Sequence, residues 1–211
     1  MLANPKPVKK ATRIQVANQA RILEAGLEIF SAHGFKGATL DQIAEQAAMS
    51  KPNLLYYFKS KDDIYRAVLQ RVLDIWLEPL TELDPSGDPV QEIESYIRRK
   101  VELSRTAPKA SRLFANEVLQ GAPRIGAILR GPLKALVDQK AALIRRWMAE
   151  RRLASIDPYH LIFAIWATTQ HYADFAVQVR AVMGDQVDDQ DHFKQTADAV
   201  AKLFLNGLRV R

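Results

Sequence analysis

Apolar residues recur every three or four positions along most of the chain, the spacing that predicts amphipathic helices. The first such run covers about 17–33 and is followed by Gly34, a typical helix stop. Its apolar residues are Ile22, Leu23, Leu27, Ile29 and Phe30. No segment alternates with the period of two that predicts a strand. We therefore expect an all-α protein.

Short polar residues that cap helices divide the next stretch. Thr39 and Gln42 form a capping-box pattern that opens a helix ending near Ala47, and Ser50 opens another with Pro52 in its first turn. Two short helices joined by a tight turn are typical of a helix-turn-helix. This stretch therefore predicts a small DNA-binding module.

A fourth helix begins after Ser60 and carries one apolar stripe that ends at Pro79. The stripe consists of Tyr65, Val68, Leu69, Val72 and Trp76. Beyond a loop at 83–89, capping residues and prolines predict further helices. They cover about 88–106, 110–119, 132–152, 157–183 and 189–208. The pattern as a whole predicts about nine helices.

Positive charge is concentrated at the N-terminal end. Residues 1–61 hold nine Lys or Arg and four acidic residues, so they carry +5 of the net charge of +6. This asymmetry is typical of a nucleic-acid-binding module joined to a near-neutral domain, although a solvated basic tail is the alternative. We predict a flexible basic arm over 1–15, a helix-turn-helix domain over 16–61, and a ligand-binding and dimerisation domain over 62–211.

Composition and motifs exclude several kinds of chemistry. The chain has no cysteine, which excludes disulfides, Cys-ligated zinc and a thiol nucleophile. Gly-x-Ser-x-Gly, a Gly-rich phosphate loop and His-Glu-x-x-His are absent, so we expect neither an enzyme nor a bound cofactor or metal. No apolar run approaches the ~18 residues of a membrane span, and no signal-peptide pattern is present. We expect a cytoplasmic protein.

Two runs in the predicted module carry a family resemblance. Residues 39–44 (TLDQIA) and 50–61 (SKPNLLYYFKSK) resemble the TetR family of bacterial one-component transcription regulators. The resemblance implies a DNA-binding helix-turn-helix followed by a larger ligand-binding domain.

Residues 166–179 (WATTQHYADFAVQV) are similar to a branch of that family that represses pyrimidine-utilisation genes. This likeness implies a homodimer that leaves a palindromic double-stranded DNA operator when uracil, or to some extent thymine, binds. The alternative is a TetR-type regulator that responds to a different small metabolite or to a hydrophobic compound.

The expected DNA contacts centre on the second short helix. Lys51 and Asn53 stand where base edges come within reach. Thr39 and Ser50 lie at helix N-termini, where each can bind a phosphate as well as cap, with capping alone as the alternative. The residues expected to hold the phosphate backbone are Tyr56, Tyr57, Lys59 and Lys61. Some N-terminal arms reach an adjacent minor groove, and the arm residues available for such a contact are Lys6, Lys9, Lys10 and Arg13.

The expected effector site combines aromatic and amide side chains. Trp166, Thr169 and Gln170 share one face of the helix over 157–183, and an aromatic plane beside an amide suits a small planar ring with N–H and C=O edges. Trp76 ends its stripe where it can line the same pocket. The alternatives are core packing for both tryptophans and a structural hydrogen bond for Gln170.

Phe114 and Glu117 extend this prediction to the helix over 110–119. Glu117 falls within an apolar stripe, where a carboxylate needs a partner. That partner is a ligand N–H or, alternatively, one of the cations Lys109, Arg112 and Arg145.

Dimer contacts are expected on the second face of the helix over 157–183 and on the last helix. The residues of the last helix in this prediction are Phe193, Ala197, Val200, Phe204 and Leu208.

Overall fold

The computed structural model describes residues 12–184 and 190–210, so Lys6, Lys9, Lys10 and Asp189 of the predictions above lie outside the described residues. All regular structure in these two ranges is helical, which confirms the all-α prediction. No helix there is long and apolar enough to span a bilayer. The chain forms two compact units, Met1–Val68 and Leu69–Arg211. The domain boundary after residue 61 stays a prediction.

Unit 1 consists of three helices and the start of a fourth. They are α1 (Arg13–Gly37), α2 (Leu40–Gln46), α3 (Lys51–Tyr57) and the N-terminal part of α4 (Lys61–Thr81). The side chain of Thr12 caps α1, that of Thr39 caps α2 and that of Ser50 caps α3, each by accepting a hydrogen bond from the backbone N–H three residues later. Side-chain acceptors at these positions satisfy amides that a helix leaves without partners.

The core of unit 1 joins all four helices. Its fully buried side chains come from each of them and are Ile22, Phe30, Ile43, Leu54 and Ile64. Tyr65 of α4 packs edge-on against Phe30, with 4.8 Å between ring centroids. Gly26 lets α1 approach α4 closely, because a Cβ at this position would lie 3.1 Å from Cγ2 of both Ile64 and Val68.

Unit 2 contains the rest of α4 and seven further α-helices within the described residues. They are α5 (Pro89–Thr106), α6 (Pro108–Leu119), α7 (Gly126–Ile128), α8 (Lys134–Ala149), α9 (Pro158–Asp174), α10 (Ala176–Met183) and α11 (Gln190–Leu208). Helix α5 packs against both α9 and α11. Its apolar core cluster includes Leu80, Ile97, Trp147, Ile162 and Leu205.

The predicted end of α4 at Pro79 is wrong, because the helix continues to Thr81. An interior proline removes one helical hydrogen bond and costs about 3 kcal/mol. Packing offsets this cost, since Leu80 is fully buried. The ammonium of Lys140 also donates to the carbonyl oxygens of Thr81 at 2.7 Å and Leu83 at 3.2 Å, which supplies donors at the helix end.

The single helix predicted over 157–183 is two helices, because α9 ends at Asp174 and α10 starts at Ala176. At the break, Arg112 Nη1 donates to the carbonyl oxygen of Ala173 at 3.1 Å. The Asp174 carboxylate accepts a hydrogen bond from the Ser111 hydroxyl at 2.5 Å. A side chain of α6 therefore binds a backbone carbonyl oxygen that a continuous helix would use, and a second one holds the last side chain of α9.

Pro132 does not open a helix as predicted. It lies inside a π-helical turn, Leu129–Leu133, and α8 starts only at Lys134. A wider hydrogen-bonding pattern accommodates a residue that has no backbone N–H.

The predicted dimer face of α11 is wrong for Ala197, Val200 and Leu208. All three are buried within the single chain. Packing against α5 uses this side of α11, so its outward side carries other residues, among them the 68 % exposed Leu203.

Substitution of Gly26 by Val should destabilise unit 1 by about 1–3 kcal/mol, because the added atoms meet Ile64 and Val68. Thermal unfolding followed by circular dichroism measures the change. Gly131→Val in unit 2 is the control, since nothing lies within 4 Å of a Cβ there. Equal melting temperatures for the two variants would contradict the close approach of α1 and α4.

Candidate DNA-binding surface and effector site

The N-terminal end of α3 presents exposed polar side chains. Lys51 and Asn53 are both exposed, as expected for residues that reach base edges. Lys51 Nζ lies 2.9 Å from Asp41 Oδ2 of α2. An exposed ion pair of this kind contributes about 0–1 kcal/mol, so the ammonium can exchange Asp41 for a stronger acceptor.

The two predicted phosphate ligands at helix N-termini both act as caps. The Thr39 hydroxyl accepts from the backbone N–H of Gln42 at 3.2 Å, and the Ser50 hydroxyl accepts from that of Asn53 at 3.3 Å. Both residues are nevertheless exposed. Capping and phosphate binding are therefore compatible here, and the phosphate contacts stay predictions.

The tyrosines of α3 differ in exposure. Tyr56 is 64 % exposed, whereas the Tyr57 hydroxyl accepts a hydrogen bond from Asn18 Nδ2 of α1 at 2.8 Å. This bond fixes the end of α3 against α1. Tyr56 has the freer side chain of the two for a DNA contact.

Lys59 and Lys61 have different surroundings. Lys59 is exposed. Lys61 Nζ donates to the carbonyl oxygens of Phe35 at 2.8 Å and Ala38 at 2.7 Å, and it lies 4.6 Å from the Phe35 ring centroid. Lys61 therefore holds the C-terminal end of α1, a structural role that the sequence analysis did not anticipate.

Unit 2 contains a cleft of about 440 Å³ between α6 and the α9–α10 break, which we call the α6–α9 cleft. Its lining includes two predicted effector residues, Phe114 and Gln170. Arg112, Asp174 and Phe175 also line it. The cleft thus combines an amide, a guanidinium and a carboxylate with aromatic rings.

Trp166 lines a different cavity, although it lies one helical turn from Gln170. That cavity of about 420 Å³ also contains Tyr159 and Phe163. Trp166 Nε1 donates to the Tyr96 hydroxyl at 2.6 Å, and burial raises the pKa of Tyr96 well above its ordinary value. The structure therefore separates two residues that the sequence analysis placed in one site.

Glu117 and Thr169 already have protein partners. The carboxylate of Glu117 accepts from the Arg124 backbone N–H at 2.8 Å and lies 3.6 Å from Arg124 Nη1. Thr169 is fully buried, and its hydroxyl donates to the carbonyl oxygen of Ile165 at 2.7 Å. Glu117 thus meets an arginine outside the three cations proposed from the sequence, and it ties the segment after α6 to that helix.

Two buried groups near the centre of unit 2 have few partners. Lys100 is 2 % exposed, and its Nζ lies 3.8 Å from the ring centroid of Trp76, which is 4 % exposed. Burial lowers the pKa of Lys100 from 10.5 to about 7, and the charge of Asp174 opposes this shift. The sequence analysis named Trp76 but missed Lys100, whose signal was a lysine within the apolar stripe of Ile93, Ile97 and Val101.

Asp174 and Ser111 were also missed. Burial raises the pKa of the Asp174 carboxyl, while the Ser111 hydroxyl and the charges of Arg112 and Lys100 oppose the increase. Asp174 is thus the group that links the α6–α9 cleft electrostatically to Lys100. Buried titratable groups with shifted pKa values, such as Lys100 and Asp174, are typical of functional sites.

Comparison with known proteins identifies the family. Residues 22–68 match the model described as bacterial regulatory proteins, tetR family, and residues 69–211 match the model described as YcdC-like protein, C-terminal region. The chain is 51 % identical over 206 residues to the HTH-type transcriptional regulator RutR of Escherichia coli (strain K12), covering 98 % of this chain and 97 % of that protein. The chain belongs to the TetR family.

Other known proteins share part of the sequence or the fold. The HTH-type transcriptional repressor SCO4008 of Streptomyces coelicolor (strain ATCC BAA-471 / A3(2) / M145) is 32 % identical over 49 % of this chain and 51 % of its own. A TetR-like transcriptional regulator from Rhodococcus sp. RHA1 shares the fold with a TM-score of 0.65 at 22 % identity, over 94 % of this chain and 100 % of that one. AibR, solved with isovaleryl coenzyme A and operator DNA, has a TM-score of 0.67 at 16 % identity, over 88 % and 97 %.

The TetR assignment establishes the general function. TetR regulators bind operator DNA and small-molecule effectors and act as dimers, so the chain is a ligand-responsive transcriptional regulator and not an enzyme. Unit 1 corresponds to the matched TetR DNA-binding region, and unit 2 to the matched C-terminal region.

Substitution of Lys100 by Met should stabilise the protein, and the gain should depend on pH. The pKa is about 7 in the folded state and 10.5 in the unfolded state, so protonated Lys100 destabilises the fold below pH 7. The gain should be on the order of 5 kcal/mol at pH 6 and should decrease as pH rises from 7 to 10.5. Urea unfolding of both proteins at pH 6, 8 and 10 measures it, and a pH-independent difference would contradict the buried charge.

Proposed function

We propose that the protein is a dimeric repressor of pyrimidine-utilisation genes that leaves a palindromic operator when uracil or thymine binds unit 2. The observation that carries this proposal is the 51 % identity to RutR over 98 % of the chain. The likeness of residues 166–179 to the pyrimidine-responsive branch of the family supports uracil and thymine as effectors. The α6–α9 cleft supplies polar groups of the kind that such rings require.

The exposed surface of α3 supports operator binding. Lys51, Asn53 and Tyr56 project from a helix of seven residues, and a recognition helix reads base edges from its N-terminal end. The net charge of +5 over residues 1–61 favours approach to a polyanion. In a dimer, two such helices spaced about 34 Å apart would prefer a near-palindrome.

The composition of the α6–α9 cleft supports a small polar ring as effector. Gln170 and Asp174 offer acceptors, and Gln170 and Arg112 offer donors. Phe114 and Phe175 supply apolar faces for the ring. A purely hydrophobic effector would leave the donors and acceptors of Gln170 without a ligand contact.

Exposed apolar residues on α9 and α11 support a dimer surface that differs from the predicted one. Ala164 and Ala167 are exposed on α9, and Ala199, Leu203 and Gly207 are exposed at intervals of four on α11. Two copies that bring these stripes together would form a four-helix arrangement about a two-fold axis.

Release of DNA by pyrimidines tests the proposal. With a duplex selected by the protein from a random pool, 1 mM uracil or thymine should weaken binding at least about tenfold in fluorescence anisotropy, and cytosine should not. Lys51→Ala should lose DNA affinity but keep uracil affinity, whereas Gln170→Ala should do the reverse. A plot of the logarithm of the wild-type affinity against the logarithm of the salt concentration should have a slope of about −0.9 per phosphate contact.

Calorimetry completes this test. If neither uracil nor thymine binds the wild type below about 1 mM, the effector assignment is wrong and a different metabolite or a hydrophobic compound takes its place. If Lys51→Ala and Gln170→Ala each lose both DNA binding and uracil binding, the assignment of DNA binding to α3 and of effector binding to the cleft is wrong.

Substitution of Leu203 by Glu should convert dimers to monomers, because a charge in a self-complementary interface meets its own copy. Sedimentation velocity at micromolar concentration measures the change. Ile14→Glu, at a 73 % exposed position of α1, is the matched control and should remain dimeric. A dimeric Leu203→Glu variant would exclude this side of α11 from the interface.

A further inference from the structure

The turn between α1 and α2 connects the long first helix of unit 1 to its two short helices. Gly34 has a φ of 66° and kinks the end of α1, and α2 begins at Leu40. Ala38 lies in the turn, is 1 % exposed and directly precedes Thr39, the cap of α2. The backbone of this turn therefore determines where α2 starts.

Lys61 of α4 supplies donors to the carbonyl oxygens of this turn. Helix ends and turns leave such oxygens without helical partners. Lys61 Nζ donates to the carbonyl oxygens of Phe35 at 2.8 Å and Ala38 at 2.7 Å, which lie 26 and 23 residues earlier in the chain. Hydrogen bonds from a charged donor are roughly twice as strong as neutral ones, so Lys61 ties the turn firmly to α4.

An aromatic cluster also holds the Lys61 side chain. The ammonium lies 4.6 Å from the centroid of the Phe35 ring. That ring lies 5.0 Å from the ring of Tyr65, which packs in turn against the buried Phe30. Lys61 is accordingly half-buried, whereas Lys59, two residues earlier, is exposed.

These contacts leave the Lys61 ammonium poorly suited to bind phosphate. Two of its three N–H groups already donate to carbonyl oxygens. A phosphate contact that broke these bonds would take the charged donor away from the carbonyl oxygen of the buried Ala38. Lys59 carries the same charge on an exposed side chain, so the two lysines differ in what their substitution removes.

Helix α2 connects the turn to α3. It packs against both α1 and α3, and Ile43 of α2 and Leu54 of α3 are fully buried. Asp41 of α2 also lies 2.9 Å from Lys51 Nζ at the start of α3. A shift of the turn before α2 would therefore displace the helix that carries Lys51 and Asn53.

We infer that Lys61 is a positioning residue for operator binding rather than a phosphate ligand. Its ammonium holds the turn between α1 and α2, and α2 holds α3 in the position from which Lys51 and Asn53 are proposed to reach base edges. This inference rests on the operator binding by α3 in the proposed function, but it does not depend on which effector releases the DNA.

Two neutral substitutions separate a positioning residue from a phosphate ligand. Lys61→Met and Lys59→Met each remove one ammonium, and fluorescence anisotropy with the selected duplex measures the affinity of the full-length proteins at several salt concentrations. Lys61→Met should weaken binding about tenfold at every salt concentration, with the slope of the wild type, because hydrogen bonds from a charged donor are lost and no phosphate contact is. Lys59→Met is the matched control and should make the slope shallower by about 0.9.

Thermal unfolding followed by circular dichroism provides a second measurement. Lys61→Met should unfold at a lower temperature than the wild type, whereas the exposed Lys59→Met should not. Binding is measured well below both melting temperatures, so that only folded protein is compared. A purely structural role of Lys61 would lower the melting temperature and leave the affinity of the folded protein unchanged.

Lys61→Arg keeps the test decisive if Lys61→Met does not fold. Arginine keeps the charge and binds phosphate at least as well as lysine does. Its longer, planar guanidinium does not place a single nitrogen between the two carbonyl oxygens as the ammonium does. Lys61→Arg should therefore bind the duplex more weakly than the wild type with an unchanged slope, whereas Lys59→Arg should bind at least as tightly.

The outcomes distinguish this inference from the proposed function. A slope for Lys61→Met that is shallower by about 0.9, or wild-type affinity of folded Lys61→Met or Lys61→Arg, overturns the positioning role and leaves the proposed function standing. If uracil and thymine fail to release the DNA, the proposed function fails and the inference stands. If the wild type selects no duplex, both fail.

Discussion

Helix α5 sets the main constraint on unit 2, because it packs against both α9 and α11 and must bury a wide face. That face carries Tyr96, Lys100 and Ser104 among its apolar residues. Each polar group taken from water has to find a partner in the protein or in a ligand. The Tyr96 hydroxyl accepts from Trp166 and the Ser104 hydroxyl donates to Thr169, whereas the Lys100 ammonium makes one long hydrogen bond of 3.4 Å, to the carbonyl oxygen of Trp76, within the described residues.

In unit 1, interactions between residues close together in the chain hold the helix ends. Two of its helices, α2 and α3, have seven residues each, so their ends make up much of their length, and Thr39 and Ser50 cap them. The same N-termini carry the exposed amides and dipole ends that attract phosphate. The predicted phosphate contacts would therefore use the same positions of the chain as the observed caps.

The pattern of residues predicted the helices well where local rules apply and less well where distant residues intervene. The capping box of Thr39 and Gln42 appears as expected, because its partners lie three residues apart. The helix over 157–183 is broken because Arg112, 61 residues before Ala173, takes a carbonyl oxygen of α9. Pro79 failed to end α4 for a similar reason, since Leu80 is packed and Lys140 supplies donors from 59 residues away.

The candidate effector site shows the same division. Gln170 and Phe114 do line one cleft, whereas Trp166 faces another cavity and Glu117 is held by Arg124. By itself, the sequence determined the helical class, the caps, the charge of the N-terminal end and the family, because these depend on neighbours within one or two turns. Only the tertiary structure decided which helix faces are covered and which buried donors lack acceptors, because packing between helices far apart in the chain sets both.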